Sequence, residues 1–280
     1  MTARVCLTFD VDGPFLWLGT FGTRGLQGLS RGEYEVRVGL PRVLGLLREK
    51  GLAATFFVPG RFAETYPALV REIGEAGHEV AAHGYNHERW PDLSREAEEH
   101  VLSRSTAALK DCLGASPRGF RAPAFELNPW SIRLLVEAGF HYDSSLMGDD
   151  FTPYRPRLED TVPDEGPLRF GEPAALLEFP VSWELDDFPY FAYTGRNPGL
   201  RSAREVGAIW FEEFRFAASV PGALYTLTLH PQVIGRGPRI RMLADLIDRI
   251  RASGTVTFST LAGSLDAVGT LQQPAGDHRL

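Results

Sequence analysis

Two aspartates that follow a buried apolar run are the first residues in the chain able to do chemistry. Asp10 directly follows the run Val5-Cys6-Leu7-Thr8-Phe9. Val11 separates it from Asp12, and Gly13-Pro14 comes next. Side chains alternate along an extended chain, so both carboxylates point to the same face. Carboxylates placed side by side repel each other unless they share a cation or a proton. The pair indicates either a cation site or a capped turn with one solvated carboxylate.

Two histidines favour the cation. His83 and His87 follow a second strand-like run, and their i, i+4 spacing puts both imidazoles on one face if the segment forms a helical turn. Two neutral imidazoles and one carboxylate make a three-ligand site with open positions for water and substrate. We expect zinc there, and other divalent transition ions also suit such ligands.

Further polar residues stand where other strands should end. Arg121 precedes the rigid segment Ala122-Pro123-Ala124-Phe125, and we expect it to pair with the carboxylate that does not bind metal. Trp183 is followed by acidic residues that include Asp187, and His230 lies in Leu229-His230-Pro231 as a candidate acid.

Short runs of β-branched and aromatic residues alternate with helical patterns along the chain. We predict strands at 5–9, 54–58, 79–82, 119–121, 140–144, 176–181, 223–229 and 255–258. We predict helices at 40–49, 66–77, 94–113, 129–138, 205–218 and 239–251. This alternation predicts an α/β fold with a mainly parallel sheet, and the number of units favours a (β/α) barrel. In such a barrel functional residues gather at the carboxyl ends of the strands.

The composition excludes several classes of protein. The chain has 280 residues, 44% of them hydrophobic, and a net charge of −7 (29 − 36). Such a chain buries about three quarters of its unfolded surface, which argues against disorder. An acidic balance argues against a nucleic-acid partner, and no apolar run reaches the ~20 residues of a membrane span. We expect a catalytic domain over 1–265 and a flexible polar tail over 266–280.

The cysteines and the first residues bear on location. Cys6 and Cys112 both lie in apolar segments, which predicts buried thiols rather than a disulfide framework. The N-terminal residues run into a strand-like segment without a signal-peptide pattern. We therefore expect a cytoplasmic protein.

Two segments do not fit the alternation. Residues 15–39 are rich in glycine, and residues 148–173 are rich in proline, glycine and charge. Both are longer than simple connections, so we interpret them as lids or contacts of a homo-oligomer. Aromatic and rigid residues in and near these motifs are expected either to contact substrate or to form a subunit interface: Phe15, Trp17, Pro123, Phe125 and Trp183.

These motifs, in this order, resemble the polysaccharide deacetylase family, also known as the NodB-homology or carbohydrate esterase family 4. The resemblance covers roughly residues 4–262 and implies a distorted (β/α) barrel that hydrolyses an amide C–N bond. It also implies that Asp12, His83 and His87 hold a metal. Asp10 would be the catalytic base oriented by Arg121, His230 would be the general acid, and Asp187 would lie behind the site.

The first motif departs from the usual adjacent aspartates because Val11 separates Asp10 from Asp12. This spacing, together with Leu229-His230-Pro231-Gln232, resembles a branch that includes peptidoglycan deacetylase-like proteins, cyclic imidases and metal-independent allantoinases. We expect removal of N-acetyl from a saccharide or a related small molecule. The alternatives are opening of a cyclic imide or ureide and, third, carbohydrate binding without catalysis. A long open groove would favour the first and a closed aromatic pocket the second.

Overall fold

Strands and helices alternate along the residues that the computed structural model describes, which are 3–195, 199–254 and 256–269. The strands are β1 (Ala3–Asp10), β2 (Thr55–Val58), β3 (Glu79–Ala82), β4 (Gly119–Phe120), β5 (Tyr142–Asp143), β6 (Leu177–Glu178), β7 (Leu224–Leu229) and β8 (Val256–Phe258). The α-helices are α1 (Leu26–Tyr34), α2 (Leu40–Lys50), α3 (Gly60–Thr65), α4 (Pro67–Glu75), α5 (Arg95–Leu113), α6 (Ser131–Glu137), α7 (Asp187–Phe191), α8 (Ala203–Ala217), α9 (Pro231–Ile234), α10 (Gly237–Ala252) and α11 (Leu261–Gly269).

The strands form one sheet in the order β6-β5-β4-β3-β2-β1-β7, with β8 also paired to β1. Every ladder between these strands is parallel. Between the two end strands of this order, one parallel bridge joins Asp186, in the segment after β6, to Thr228 in β7. The result is the distorted (β/α) barrel predicted from the sequence.

Strand β1 pairs with three other strands, and its alternate side chains enter two different cores. Val5, Leu7 and Phe9 pack into the larger core with the surrounding helices. Cys6 packs into a second core with Phe57 and residues of α11. The residues on the Cys6 side of the strand are therefore directed into the barrel, and the last of them is Asp10.

The glycine-rich segment 15–39 is mostly helical. A π-helical turn at Leu16–Thr20 leads to α1, and a second at Glu35–Gly39 continues into α2. A Cβ atom on Gly19, Gly32 or Gly39 would lie only 1.9, 2.3 and 2.2 Å from backbone atoms of Asn86, Pro14 and Pro231. The glycines therefore allow this segment to pack against the chain that follows β3, β1 and β7.

Three other expectations concern the rest of the chain. Residues 148–173 are largely irregular, joined by antiparallel bridges such as Arg157 to Pro173. Helix α11 extends to Gly269, into the segment expected to be flexible, and residues 270–280 lie outside the described part. Cys6 is buried and Cys112 is half-buried, both as free thiols. Among the described helices, none has the length and apolar character needed to cross a bilayer.

The close backbone packing of Gly39 predicts a difference between two glycines of neighbouring helical turns. Gly39→Ala should destabilise the protein by about 1–3 kcal/mol because its methyl group would overlap Pro231. A Cβ atom at Gly45 in α2 would have no atom within 4 Å, so Gly45→Ala should stabilise the protein by up to about 1 kcal/mol. Urea unfolding of both variants measures the difference, and equal midpoints would contradict this account of the segment.

Candidate metal and active site

A buried guanidinium connects two strands across the inside of the barrel. Arg121, fully buried, follows β4, and its Nη1 donates to Asp10 Oδ1 at 2.8 Å and to Thr8 Oγ1 at 2.9 Å. Its Nε and Nη2 donate to the backbone oxygen and the hydroxyl of Ser144, both at 2.9 Å. The Phe57 ring lies 4.1 Å from its Cζ. These contacts hold the guanidinium in one orientation and leave Asp10 Oδ2 free.

The charge state of Asp10 follows from this pairing. Burial alone would raise the pKa of the carboxyl, but the charge of Arg121, aided by the charge of His230 and by the hydrogen bond from Arg121, lowers it below its usual range. Asp10 is therefore ionised at neutral pH, as proton acceptance by a general base requires.

Asp12, His83 and His87 bring three ligand atoms together directly beside Asp10. The Nε2 atoms of His83 and His87 each lie 3.5 Å from Asp12 Oδ1. His83 Nδ1 is 2.8 Å from the backbone oxygen of Arg121, which can only accept, so this nitrogen carries the proton and Nε2 has a free lone pair. All three residues are buried and form one of the groups whose spacing suits a metal ion.

The electrostatics of this group fit a cation. Neither carboxylate oxygen of Asp12 has a hydrogen-bond partner among the described residues. Burial raises the pKa of Asp12 to about 7, and the charge of Asp10 adds to the rise against the effect of His230. Burial also lowers the pKa of His83 to about 4 and that of His87 well below its usual value, so both imidazoles are neutral. A divalent cation would satisfy the orphaned carboxylate and accept both nitrogen lone pairs.

The histidines converge through a loop and not through the helical turn expected from their spacing. Gly84 and His87 adopt left-handed φ values of +65° and +55°. The carboxylate of Glu88 accepts the backbone N–H groups of Tyr85 and Asn86, which closes the loop. The spacing predicted that both imidazoles converge, and they do, but through a backbone conformation that differs from the expected helical turn.

His230 lies close to both Asp10 and Asp12, with its Nε2 atom 3.9 Å from Asp12 Oδ2, and it is paired with a further carboxylate. Asp187 Oδ1 is 2.7 Å from His230 Nδ1, and its carboxylate also accepts the His230 backbone N–H. Burial alone would lower the pKa of His230, but Asp186 and Asp187 raise it well above its usual value. His230 is therefore protonated at neutral pH, with Asp186 and Asp187 as its counter-charges, and these three residues form the second group with metal-compatible spacing. His230 Nε2 faces Asp10 Oδ2 at 4.0 Å.

These groups open into a cavity of about 130 Å³. Its walls are largely apolar and aromatic, and they comprise Asp10, Leu16, Thr20, Phe21, His83, His87, Ala124, Phe125, Trp183, Asp186, Phe188 and His230. Phe21 and Trp183 are 43% and 42% exposed, so they form a rim between cavity and solvent.

Of the five residues expected to contact substrate, the structure places Phe125 and Trp183 on the cavity wall. Phe15 and Trp17 are buried elsewhere because their segment is helical: Phe15 packs on Phe62, and Trp17 donates to Gln232. Pro123 is buried and does not reach the wall.

Sequence reasoning missed several residues of the site. Leu16, Thr20 and Ala124 line the cavity, whereas Thr8 and Ser144 hold Arg121. Small polar residues next to a motif carry little signal alone. The position of Thr8 could be predicted from the sequence, because alternation along the strand puts it on the same face as Asp10.

A barrel with this arrangement of carboxylates, imidazoles and guanidinium at its strand ends defines a class, the hydrolases of carbon–nitrogen bonds. The polysaccharide deacetylase family model matches residues 2–142. The peptidoglycan deacetylase of Helicobacter pylori is 35% identical over 271 residues, which are 90% of this chain and 92% of the relative. The peptidoglycan deacetylase-like protein FGM2 of Gibberella zeae is 28% identical over 83% of this chain and 76% of its own.

Solved structures agree. A Mycobacterium smegmatis structure assigned to polysaccharide deacetylases has a TM-score of 0.84 and 34% identity, over 98% of this chain and 94% of its own. The allantoinase Puue shares the fold with a TM-score of 0.78 at 20% identity, over 94% and 89% of the two chains. The chain belongs to the polysaccharide deacetylase family.

The burial of the Arg121–Asp10 pair predicts a strong effect of breaking it. Arg121→Leu should lower the free energy of unfolding by about 3–5 kcal/mol, because Asp10 would keep a buried charge without a partner. Arg133→Leu removes an exposed pair with Glu159 and should change stability much less. Denaturant unfolding of both variants tests this, and losses of equal size would contradict it.

Proposed function

We propose that this protein is a metal-dependent deacetylase that removes the N-acetyl group of a saccharide or of a related small molecule. The observation that carries the proposal is the meeting of three parts at one cavity: the Asp12–His83–His87 group, the Asp10–Arg121 pair and the His230–Asp187 pair. The names of the related deacetylases agree with this choice.

The proposed metal is zinc or another divalent transition ion held by Asp12, His83 and His87. When bound there, such an ion supplies Lewis acidity toward the amide oxygen and toward water. The oxygen of Asp10 that accepts the proton is Oδ2, because Oδ1 already accepts a hydrogen bond from Arg121.

The chain's own residues account for the proton transfers of hydrolysis. Asp10 takes a proton from water while the water oxygen forms a bond to the carbonyl carbon. The C–N bond then breaks as protonated His230 gives its Nε2 proton to the leaving nitrogen. The products are a carboxylic acid and an amine. Asp187 holds the imidazole of His230 in place through Nδ1.

The size of the cavity limits what can enter it. A volume of about 130 Å³ is below the ~300–1,000 Å³ of pockets that enclose drug-sized ligands. An acetamido group fits this space, and the rest of a saccharide would lie against the exposed rim of Phe21 and Trp183. A small substrate also agrees with the cytoplasmic location expected from the sequence, which stays a prediction.

The second candidate is an amidohydrolase that opens a cyclic imide or ureide. The small cavity favours it, because Leu16, Phe125 and Phe188 give the walls an apolar surface that a planar ring could contact. The same base and acid would serve, and the ring would gain one water.

Mass spectrometry of a mixed substrate panel separates the two candidates. Metal-loaded protein is incubated with chito-oligosaccharides, N-acetylglucosamine derivatives, cyclic imides and ureides, with Asp10→Asn as the control. Loss of acetyl from a sugar supports the deacetylase, and addition of water to a ring supports the alternative. Asp10→Asn should slow either reaction by about 10²–10⁴-fold. Turnover that Asp10→Asn leaves unchanged would overturn the proposed mechanism.

Metal content tests the ligand assignment without activity. Asp12→Ala and His87→Ala should each abolish stoichiometric binding of zinc, because each removes one of three ligands. His100→Ala, on the exposed face of α5, should bind zinc as the wild type does. Elemental analysis after dialysis measures this, and full zinc content in either ligand variant would refute the assignment.

The pH profile tests the roles of the two protonation states. The pKa of Asp10 is lowered and that of His230 is raised well above 6.5, so kcat/KM of the zinc-saturated protein should fall on the alkaline side as His230 loses its proton. Asp187→Asn removes a charge that raises the pKa of His230, so the alkaline fall should move to lower pH. Asp245→Asn, on the surface of α10, should leave the profile unchanged. An alkaline fall at the same pH in Asp187→Asn would contradict this role of His230.

A further inference from the structure

The imidazole of His87 is held from the side opposite Asp12 by one hydroxyl group. Thr20 Oγ1 lies 2.6 Å from His87 Nδ1 and donates to the His87 backbone oxygen at 3.1 Å. Thr20 ends the π-helical turn Leu16–Thr20 and lines the cavity. It belongs to none of the motifs recognised in the sequence.

The two contacts together indicate which nitrogen of His87 carries the proton. A threonine hydroxyl has one hydrogen, and the backbone oxygen of His87 can only accept it. The hydroxyl oxygen is then the acceptor for Nδ1–H, and the uncharged imidazole keeps a lone pair on Nε2. Nε2 is the atom that lies 3.5 Å from Asp12 Oδ1.

The backbone near Thr20 explains why its hydroxyl reaches His87. A Cβ atom at Gly19 would lie 1.9 Å from the Asn86 backbone oxygen and 2.5 Å from that of His87, so only glycine allows this approach. His87 has a left-handed φ of +55°, which is unfavourable for a residue with a side chain. The hydrogen bond from Thr20 to the His87 oxygen stabilises this conformation.

The other histidine of the group has a different support. His83 Nδ1 donates to the backbone oxygen of Arg121, which no substitution of a side chain removes directly. For His87 the corresponding acceptor is a side chain. A single substitution at Thr20 can therefore change the orientation of the His87 imidazole while every motif residue stays in place.

We propose that Thr20 is a positioning residue for the metal centre: its hydroxyl group holds the imidazole of His87 with Nε2 toward the ion. This inference rests on the proposed metal-dependent function. Hydrogen-bond partners of metal-binding histidines typically change metal affinity by about 10–100-fold when they are removed. We expect a loss of that size when the hydroxyl is replaced by a methyl group.

Affinity for zinc, measured by competition with a chromophoric chelator, tests the proposal. Thr20→Val keeps the shape of the side chain and removes the hydroxyl, whereas Thr20→Ser keeps the hydroxyl. Thr65→Val makes the same change in an exposed residue of α3, where the hydroxyl donates only to Arg61. Thermal unfolding of the metal-free proteins is recorded alongside.

The expected result is binding weakened by about 10–100-fold in Thr20→Val, largely restored in Thr20→Ser and unchanged in Thr65→Val. Wild-type affinity in Thr20→Val overturns the inference, even if its metal-free form unfolds at a lower temperature, because the role would then be structural only. Weakened binding in both Thr20 variants also overturns it. A wild-type protein that binds no zinc would instead refute the metal centre of the proposed function.

Discussion

Burial of negative charge at the carboxyl end of the sheet is the constraint on which the rest of the structure depends. The carboxylates of Asp10, Asp12, Asp186 and Asp187 are all almost fully buried. Burying an isolated charge is costly, so each needs a compensating partner or a proton. Arg121 compensates Asp10, and protonated His230 compensates Asp187.

Two further buried acidic groups have raised pKa values. Burial raises the pKa of Asp186 to about 7, with the charge of Asp187 adding to the rise and His230 opposing it. Glu35, in the turn that precedes α2, is fully buried, and burial together with Asp12 raises its pKa well above the usual value. A neutral Glu35 adds no charge. Of the four aspartates at the sheet end, Asp12 is the one whose carboxylate oxygens accept no hydrogen bond from the described residues, so a cation suits this position.

The parts of the fold that follow from local pattern were accessible from the sequence. The unbroken apolar run before Asp10 predicted a strand covered on both faces, and β1 is buried along most of its length. Strand ends meet at one face of a parallel barrel, so the convergence of Asp10, His83, Arg121 and His230 followed from chain order.

Features that depend on contacts between distant segments were not accessible. The glycines between Phe15 and Gly39 are typical of a mobile loop, but here they provide contact between a helical segment and backbone far away in sequence. The spacing of His83 and His87 is the same for a helical turn and for the loop observed, so spacing alone could not distinguish them. Thr20 has no recognisable pattern, because its importance comes only from the position of His87.

The single bridge between Asp186 and Thr228 has a consequence for local stability. Strands β1, β2 and β3, which carry Asp10 and lead to His83, are joined by continuous ladders, whereas the segment after β6 is joined to β7 by that one bridge. Cooperative opening begins where backbone hydrogen bonds are fewest. Opening of this seam would separate Asp187 from His230 and leave the ligand group assembled. Because β7 is paired with β1 along its whole length, we expect hydrogen exchange to be faster in the segment that carries Asp186 and Asp187 than in β1 or β7.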